Sequence, residues 1–343
     1  MPKKTTIKTI ARALGVSPST VSKALHGSKE IGYHTRERIL KYAEEAGYRP
    51  HQLALSLRNR RTKMLGVIVP EVTHHFFSRV ITGIEERASW DGYQVIVGIS
   101  KNEREKEKKL LEKFSGGYTD GILISLAKET LRSGNYAHFY PLLDGKFPVV
   151  FFDRPIPHHP VDKVIIDDLK AGYQAVKHLI ETGCRDIAVI STPPYLKVGY
   201  EREQGYFKAL TEAGLPVNEN RIVRIDEKKD LRRQIAPLFD NPPDGIFAVN
   251  ETYAYEALRL AKRNGIRIPA RLRIVAFSDG IISKIAEPPM TTVAQHGFEM
   301  GQTAAGILID KIENRLPAKP VTKIQPTHLI IRQSTKAAVS REG

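Results

Sequence analysis

Cysteine is nearly absent from this 343-residue sequence, and long apolar runs are absent altogether. The single cysteine, Cys184, excludes an intrachain disulfide and a thiolate metal cluster; it suits a reducing compartment, and we expect a small residue at a turn. No apolar run approaches the roughly 18 residues that span a bilayer, and the opening MPKKTTIKTI has no apolar signal core. The sequence therefore predicts a cytoplasmic protein with no membrane partner.

Catalytic signatures are also missing. The first apolar segment, GVIVPEVTHHFF, is not followed by the Gly-rich loop that a Rossmann-type enzyme needs, and no GxSxG, HExxH or Walker A pattern occurs. No cluster of potential ligands has the spacing of a metal site. We therefore expect no enzyme activity, no cofactor and no bound metal.

Positive charge is present in excess and is unevenly distributed. The chain has 53 Lys and Arg against 38 Asp and Glu, a formal charge of +15. Residues 1–63 hold 14 of the basic residues and only 4 Glu, a net of +10, while the rest of the chain is nearly balanced. A small basic unit on a balanced body is typical of a nucleic-acid-binding headpiece.

Residues 6–26, TIKTIARALGVSPSTVSKALH, predict two short helices joined by a turn. Gly15 suits the end of the first helix, and Ser17 followed by Pro18 suits the start of the second. The apolar face of the first helix consists of Ile7, Ile10, Ala11 and Leu14. An ordinary αα-hairpin would share this pattern, so the motif alone leaves that alternative open.

The second helix of this motif has two chemically different faces. Its apolar face, Val21, Ala24 and Leu25, can pack on the first helix. Its polar face is free for phosphates and base edges and consists of Ser19, Thr20, Ser22 and Lys23.

A third helix and a basic segment complete the N-terminal region. Thr35 suits an N-cap for a helix over 36–46, with Ile39, Leu40 and Ala43 facing inward. The following HQLALSLRNRRTK is too short for a helix that is stable alone, since isolated helices below about 12 residues are marginal in water. We expect either a hinge helix that forms on DNA or an ordinary basic linker.

From residue 64 onward, short β-branched runs alternate with longer helical segments. The runs include MLGVIVP, YQVIVGIS, DGILISL and FPVVFFD, and a second series contains DIAVIST, DGIFAVN and RIVAFSD. This alternation predicts βα units in parallel, doubly wound sheets. Two similar halves indicate a bilobed binding protein whose ligand lies between strand ends.

Aromatic and acidic residues follow the predicted strands of the first half. Phe76 and Phe77 would offer a flat apolar surface to a sugar or a base, with buried packing as the alternative. Asp153, directly after VVFF, could accept hydrogen bonds from hydroxyl groups. These residues favour a small-molecule site in the cleft.

Three segments in this order resemble the headpiece and hinge of the LacI/GalR family of bacterial transcription regulators: TIKTIARALGVSPSTVSKALHGS, TRERILKYAEEAGYRP and LALSLRNRRTKMLGVIVP. The resemblance continues to about residue 335. It implies a homodimer that binds a pseudo-palindromic double-stranded operator. It further implies base reading by Pro18, Ser19 and Lys23, phosphate contacts by Ser17, Thr20, Ser22 and Thr35, and a minor-groove wedge formed by Leu57 beside Ala54.

Some positions depart from the family pattern. Lys23 stands where Arg is common, so an ammonium group replaces a guanidinium that could donate two parallel hydrogen bonds to guanine. His26 and His51 each replace a frequent Asn. The operator sequence therefore stays open.

The resemblance also implies a periplasmic-binding-protein-like core, which sets the expected domains. These are a helix-turn-helix headpiece over 1–50, a hinge over 51–63 and an effector-binding core over 64–335. We expect one lobe to contain about 64–161 and 294–320, and the other about 162–291 and 324–333. The chain end lacks a leucine heptad that could form a tetramer, so a homodimer is predicted.

Further effector positions come from the resemblance. Arg202 matches the anchoring arginine of the family, and Asn250 matches another ligand position. Ser278 and Asp279 occupy a place where the family often has two Asp, and Gln295 lies at the lobe crossover. Such carboxylates, amides and an Arg beside aromatic rings suit a carbohydrate. Each could instead be structural, and His74 and His75 could either favour an acidic ligand or be solvated.

We therefore predict a DNA-binding regulator, in its simplest form a repressor, controlled by a sugar or sugar derivative. A purine- or nucleoside-responsive regulator is the first alternative. A transport-type solute-binding protein is the second, although it would need export and no headpiece. Whether the ligand is an inducer or a corepressor stays open.

Overall fold

The computed structural model describes residues 5–48, 61–317 and 319–336 and divides into two units, 1–62 and 63–343. The predicted hinge residues Ala54 and Leu57 lie outside the described residues. Each unit is considered by itself below.

The first unit contains three helices, α1 (Ile7–Leu14), α2 (Pro18–Leu25) and α3 (Tyr33–Glu45). Thr6 accepts a hydrogen bond from the Thr9 amide and caps α1, and Gly15 ends α1 in the left-handed region at φ 65°. Ser17 caps α2, as predicted. The small core contains Ile10, Ala11, Val21, Ala24, Ile39 and Ala43.

Two details of α3 differ from the prediction. The helix begins at Tyr33 after an N-cap at Gly32, so Thr35 lies inside its first turn and does not cap it. The Arg36 amide donates to the Gly32 carbonyl, which closes this earlier turn. Leu40 is 42% exposed, because it lies about 100° around the helix from the buried Ile39.

The second unit is built from twelve described strands in two sheets. They are β1 (Met64–Val69), β2 (Gln94–Ile99), β3 (Gly121–Ile124), β4 (Val149–Phe152), β5 (Asp162–Ile166), β6 (Ile187–Ser191), β7 (Ile222–Arg224), β8 (Gly245–Ala248), β9 (Arg273–Phe277), β10 (Thr291–Ala294), β11 (Thr322–Gln325) and β12 (His328–Ile330). Strands such as β3 and β4 are buried at every residue, which explains their continuous apolar character.

Helices cover the faces of both sheets. They are α4 (His75–Trp90), α5 (Arg104–Lys113), α6 (Lys128–Ser133), α7 (Tyr140–Asp144), α8 (Asp168–Glu181), α9 (Lys197–Glu212), α10 (Leu231–Ile235), α11 (Glu251–Arg263), α12 (Ile281–Ile285) and α13 (Gly297–Ile312). None of the described helices is long and apolar enough to cross a bilayer.

The two sheets repeat one topology. Their strand orders are β11-β5-β4-β3-β1-β2 and β12-β10-β9-β8-β6-β7, and every pair is parallel except the β10 and β12 pair. The predicted doubly wound, two-lobed core is therefore present. In such sheets the crevice at the carboxyl ends of the strands is the usual ligand site.

The predicted lobe boundaries need correction. β5 pairs with β4 and β11 in the first sheet, so residues 162–166 belong to the first lobe and not to the second. The final segment, predicted to lie wholly in the second lobe, divides: β11 joins the first sheet and β12 the second. The backbone hydrogen bonds of β5 are satisfied by the preceding strand β4 on one side and by the distant strand β11 on the other, which places β5 in the first sheet.

Helix α13 returns to the first lobe and packs closely against α4. A Cβ placed on Gly301 would come within 2.1 Å of the Val80 carbonyl oxygen, and one on Gly83 within 2.0 Å of the Phe298 carbonyl oxygen. Only glycine permits this approach of the two helix backbones. The predicted return of 294–320 to the first lobe agrees with this contact.

Candidate functional site

The polar face of α2 presents hydroxyl groups at the start of the helix. The Ser17 hydroxyl shares hydrogen bonds with those of Ser19 at 2.7 Å and Thr20 at 2.8 Å. Pro18 and Ser19 are exposed, while Thr20 and Ser22 are half-buried. A helix N-terminus of this kind combines donors with a positive dipole end, which suits phosphate oxygens.

Lys23 lies at the other end of this face and is paired within the unit. Its ammonium group forms an exposed ion pair with Glu30, and this contact lowers the pKa of the Glu30 carboxyl. Glu30 therefore competes with a DNA acceptor for the ammonium group of Lys23. Thr35 is half-buried in the first turn of α3.

A cavity of about 100 Å³ lies between the two lobes of the second unit. Seven of the eight predicted effector residues line it: Phe76, Phe77, Asp153, Arg202, Asn250, Ser278 and Gln295. They come from both lobes and mostly follow strands, because the carboxyl ends of the parallel strands face the same crevice.

Asp153 and Ser278 occupy equivalent places in the two lobes. Each directly follows the corresponding strand, β4 or β9, and each adopts a left-handed backbone, with φ 60° and 77°. This conformation is costly for residues other than glycine and is common at functional sites. The Ser278 hydroxyl donates to the carboxamide oxygen of Gln295. The two lobes thus present polar side chains to the cavity in a related way.

Arg202 on α9 is the central cation of the cavity. Its Nε donates to Asp168 Oδ1 at 2.7 Å, its Nη1 donates to the Val249 carbonyl at 2.8 Å, and its guanidinium lies 3.5 Å from the Phe277 ring centroid. Arg202 therefore has a structural role in addition to lining the cavity.

The carboxyl groups near Arg202 are strongly affected by burial. Burial raises the pKa of Asp168 to about 7, against the opposing effect of Arg202, and the charge of Asp153 adds to the rise. Burial also raises the pKa of Asp153, opposed by Arg154 and Arg202. Asp168 lies behind Arg202 and does not line the cavity, whose lining holds three acidic and three cationic side chains: Glu71, Asp153, Glu227, Lys128, Arg154 and Arg202.

The aromatic wall is partly structural. Phe76 and Phe77 are 6% and 2% exposed and meet edge to face, with ring centroids 5.3 Å apart. Both rings line the cavity, and both are buried, in keeping with the packing alternative; contact with a sugar or a base stays a prediction.

The surroundings of the two neighbouring histidines disfavour their charged forms. Burial lowers the pKa of His74 to about 4, even though the charge of Glu71 opposes the shift. Burial also lowers the pKa of His75. This does not favour the acidic ligand that His74 and His75 suggested in the sequence.

Asn250 and Asp279 have defined partners of their own. Asn250 lies two residues after β8, and its Oδ1 accepts a hydrogen bond from the Tyr253 amide at 2.9 Å, which caps α11. Asp279 is not brought into the cavity. It accepts a hydrogen bond from Arg332 at 2.6 Å and lies 3.3 Å from Lys284, in a neighbouring pocket.

Several cavity residues were not predicted from the sequence. Thr192 directly follows β6, just as the loop that leads to Phe76 follows β1. The buried Oγ1 of Thr192 has no hydrogen-bond partner among the described residues. Lys128 and Glu227 also line the cavity. Thr192 could have been found from its place after a strand. The other two could not, since their proximity depends on how the lobes meet.

The described residues contain no group of three or more His, Cys, Asp or Glu placed to hold a metal ion.

Comparison with known families identifies both parts of the chain. The model of "Bacterial regulatory proteins, lacI family" matches residues 6–51. The model of a "Periplasmic binding protein-like domain" matches residues 176–335.

Full-length relatives are transcription regulators. The HTH-type transcriptional regulator DegA of Bacillus subtilis is 32% identical over 338 residues, which cover 97% of this chain and 98% of DegA. The HTH-type transcriptional repressor CytR of Escherichia coli is 30% identical over 338 residues, 97% of this chain and 96% of CytR.

Solved structures agree with the fold. A complex of the transcriptional regulator CelR with cellobiose has a TM-score of 0.71 at 30% identity, covering 96% of this chain and 99% of that chain. The lac repressor dimer bound to operator and the anti-inducer ONPF has a TM-score of 0.85 at 22% identity, covering 98% and 100%, which is a likeness of fold.

Proposed function

The chain belongs to the LacI family of DNA-binding transcription regulators, and we propose that it is a repressor whose affinity for its operator is controlled by a neutral carbohydrate. Members of this kind combine the DNA-binding headpiece with a periplasmic-binding-like domain. It works in the cytoplasm, where its DNA target lies. DegA and CytR, which match this chain over 97% of its length, are transcription regulators, and this supports a role without catalysis.

The headpiece supplies the DNA contacts in this proposal. Pro18, Ser19 and Lys23 read base edges in the major groove. Ser17, Thr20, Ser22 and Thr35 contact phosphates. The net +10 of residues 1–63 supports binding of the duplex backbone. Leu57 beside Ala54 enters the minor groove, where an apolar wedge kinks the duplex at a cost of about a few kcal/mol.

The interlobe cavity supplies the effector site. The observation that carries this part is the convergence of Arg202, Asp153 and Gln295 on one cavity between the lobes, beside Phe76 and Phe77. Paired donors and acceptors next to apolar rings suit the alternating hydroxyl and C–H surfaces of a sugar. The CelR complex, whose ligand is cellobiose, is a similar protein and supports the same class.

A nucleoside is less well supported, since the similar protein CelR was solved with cellobiose; Phe76 and Phe77 do not separate the two classes, because their buried edge-to-face packing limits the ring face for a sugar and a base alike. A transport role is disfavoured by the regulator relatives.

A homodimer accounts for two exposed apolar patches on the second unit. Val97 and Ile99 on edge strand β2 are 40% and 41% exposed, and Ile281 and Ile285 on α12 are 61% and 71% exposed. Apolar groups on an edge strand and a short helix favour burial against a second copy. Two headpieces would then match a pseudo-palindromic operator.

Control follows from linkage between the cavity and the headpiece. A ligand that prefers one arrangement of the lobes shifts the dimer toward that arrangement, and the connecting hinge then either pairs on DNA or releases it. The ligand is an inducer if it prefers the arrangement that releases DNA and a corepressor if it prefers the arrangement that binds DNA.

The test combines DNA selection with a ligand screen. Full-length protein would select its operator from random duplexes, and sugars, uronates, sugar phosphates and nucleosides would be screened by the shift in melting temperature. We expect a palindromic consensus and a neutral sugar that changes the operator dissociation constant. Selection of no consensus, or release only by a nucleoside, would contradict the proposal.

A further inference from the structure

The interlobe cleft contains a second, larger chamber at its mouth. This chamber has a volume of about 680 Å³, against about 100 Å³ for the inner cavity. It is formed by the loops that follow β2, β3, β6 and β7. Lys128 and Glu227 line both spaces and therefore stand at the boundary between them.

An ion pair joins the lobes at this boundary. Lys128 begins α6 in the first lobe, Glu227 follows β7 in the second, and the ammonium group of Lys128 donates to Glu227 Oε1. The side chains are 20% and 40% exposed. The ion pair therefore separates the inner cavity from the mouth chamber and joins the first lobe to the second.

The Lys128 side of the partition is held by a buried carboxylate. Glu107 on α5 is fully buried; its Oε2 accepts a hydrogen bond from the Ala127 amide at 2.5 Å, and its Oε1 accepts one from the Thr130 hydroxyl at 2.6 Å. His138 Nε2 lies 2.9 Å from the same Oε1. Because Glu107 caps the turn that contains Lys128, this turn is fixed relative to the first lobe.

The Glu227 side is fixed by an amide. Gln234 Oε1 accepts a hydrogen bond from the Asp226 amide at 2.8 Å, and its Nε2 donates to the Asp226 carbonyl at 3.0 Å and the Asp230 carbonyl at 3.3 Å. The backbone beside each member of the ion pair is therefore held by hydrogen bonds within its own lobe.

The mouth chamber suits a neutral polar ligand. Its four cationic side chains are matched by four acidic ones, and Arg224 is already engaged by Glu203 at 3.0 Å. Tyr195 and the rigid Pro193–Pro194 pair add apolar surface. Hydroxyl groups can bond to both signs of charge, and a ring can lie against the tyrosine.

We propose that the effector is an oligosaccharide of at least two units, with one end in the inner cavity and the rest in the mouth chamber, contacting Lys128 and Glu227. This inference rests on the proposed carbohydrate response and adds the length of the ligand. On binding, sugar hydroxyls replace the contact between the two side chains, so the ligand itself bridges the lobes.

The experiment compares homologous sugar series on the full-length protein. Glucose, xylose, mannose and galactose and their β-linked di-, tri- and tetrasaccharides would be titrated by calorimetry. In one series we expect the dissociation constant to fall at least tenfold from the monosaccharide to the trisaccharide. Lys128→Gln and Glu227→Gln should each remove most of this gain, whereas Lys177→Gln, which breaks the exposed Lys177–Glu181 pair on α8, should retain it.

Several results would overturn the inference: equal affinity for monosaccharide and trisaccharide in every series, no binding in any series, or full gain in both folded cleft variants. A nucleoside that binds and releases the operator would also overturn it, while regulation by a small molecule would stand. Conversely, trisaccharide binding with unchanged operator affinity would support the extended site and contradict the proposed control of DNA binding. Melting curves of each variant confirm that it is folded.

Discussion

The headpiece and the lobed core keep their candidate binding groups in opposite environments. On α2, Ser19 and Lys23 are exposed, and their side chains contact the nearby side chains of Ser17 and Glu30. In the cavity, Arg202 and Asp153 are 6% and 9% exposed, and Arg202 has fixed protein partners. Substitution in the headpiece should therefore change recognition with little cost to folding, whereas substitution in the cavity changes stability and recognition together.

The strongest test of this contrast is Arg202→Ala. Removing one member of a buried ion pair usually costs 3–5 kcal/mol, but protonation of Asp168 relieves part of the cost, so we expect a loss of about 3 kcal/mol. Urea unfolding at neutral pH measures it. The double variant Arg202→Ala with Asp168→Ala should recover part of the loss. A single variant as stable as the parent would show that the pair is not structural.

Leu57→Ala tests the hinge prediction, which lies outside the described residues. Loss of the wedge should weaken operator binding by roughly 2 kcal/mol, about thirtyfold, and reduce DNA bending. Fluorescence anisotropy and a bending assay on the same duplex measure both effects. Urea unfolding serves as the control and should match the parent. Unchanged affinity and bending would remove Leu57 from the DNA interface.

Lys23→Ala and Glu30→Gln should act in opposite directions. Loss of the Lys23 cation should weaken specific binding by about 1–3 kcal/mol, whereas Glu30→Gln removes its competing partner and should strengthen binding slightly. Neither should alter the unfolding midpoint of the core. If both variants weakened binding alike, the ion pair would be part of the DNA-bound state.

The smallest effects are expected in the pH dependence of stability. The pKa of His74 falls from 6.5 to about 4 on folding, so stability is lost as the pH drops from about 6.5 to 4. The pKa of Asp168 rises from 3.8 to about 7 on folding, so the free-energy cost of burying its charge is greatest above pH 7 and decreases as the pH falls toward 4. The two contributions oppose each other.

Single substitutions separate these contributions. His74→Gln should reduce the loss of stability between pH 6.5 and 4, and Asp168→Asn should make that loss steeper. Urea midpoints at half-unit intervals of pH provide the measurement. Identical slopes for the parent and both variants would place the pH dependence elsewhere.

Local chemistry explains what the sequence predicted well. The start of α2 follows from Ser17 and Pro18 alone. Seven effector candidates meet in one cavity because each lies in a segment that follows a strand and borders the crevice between the lobes. α3 was misjudged because Thr35 has good capping chemistry, although the chain already turns at Gly32.

Long-range pairing explains most of what was missed. β5 was assigned to the wrong lobe because its partner β11 lies more than 150 residues away. The Lys128–Glu227 pair depends on the meeting of two loops from different lobes. Asp279 follows the left-handed Ser278 and bonds to Arg332 near the chain end, which no local pattern indicates.

Reciprocal titration tests the central claim, that the cavity controls the headpiece, most directly. The operator dissociation constant would be measured without and with saturating cavity ligand, and the ligand dissociation constant without and with saturating operator. The account predicts that both change by the same factor, about 5- to 150-fold. If the ligand binds the cavity and both constants stay unchanged, the two regions are not coupled and the account is wrong.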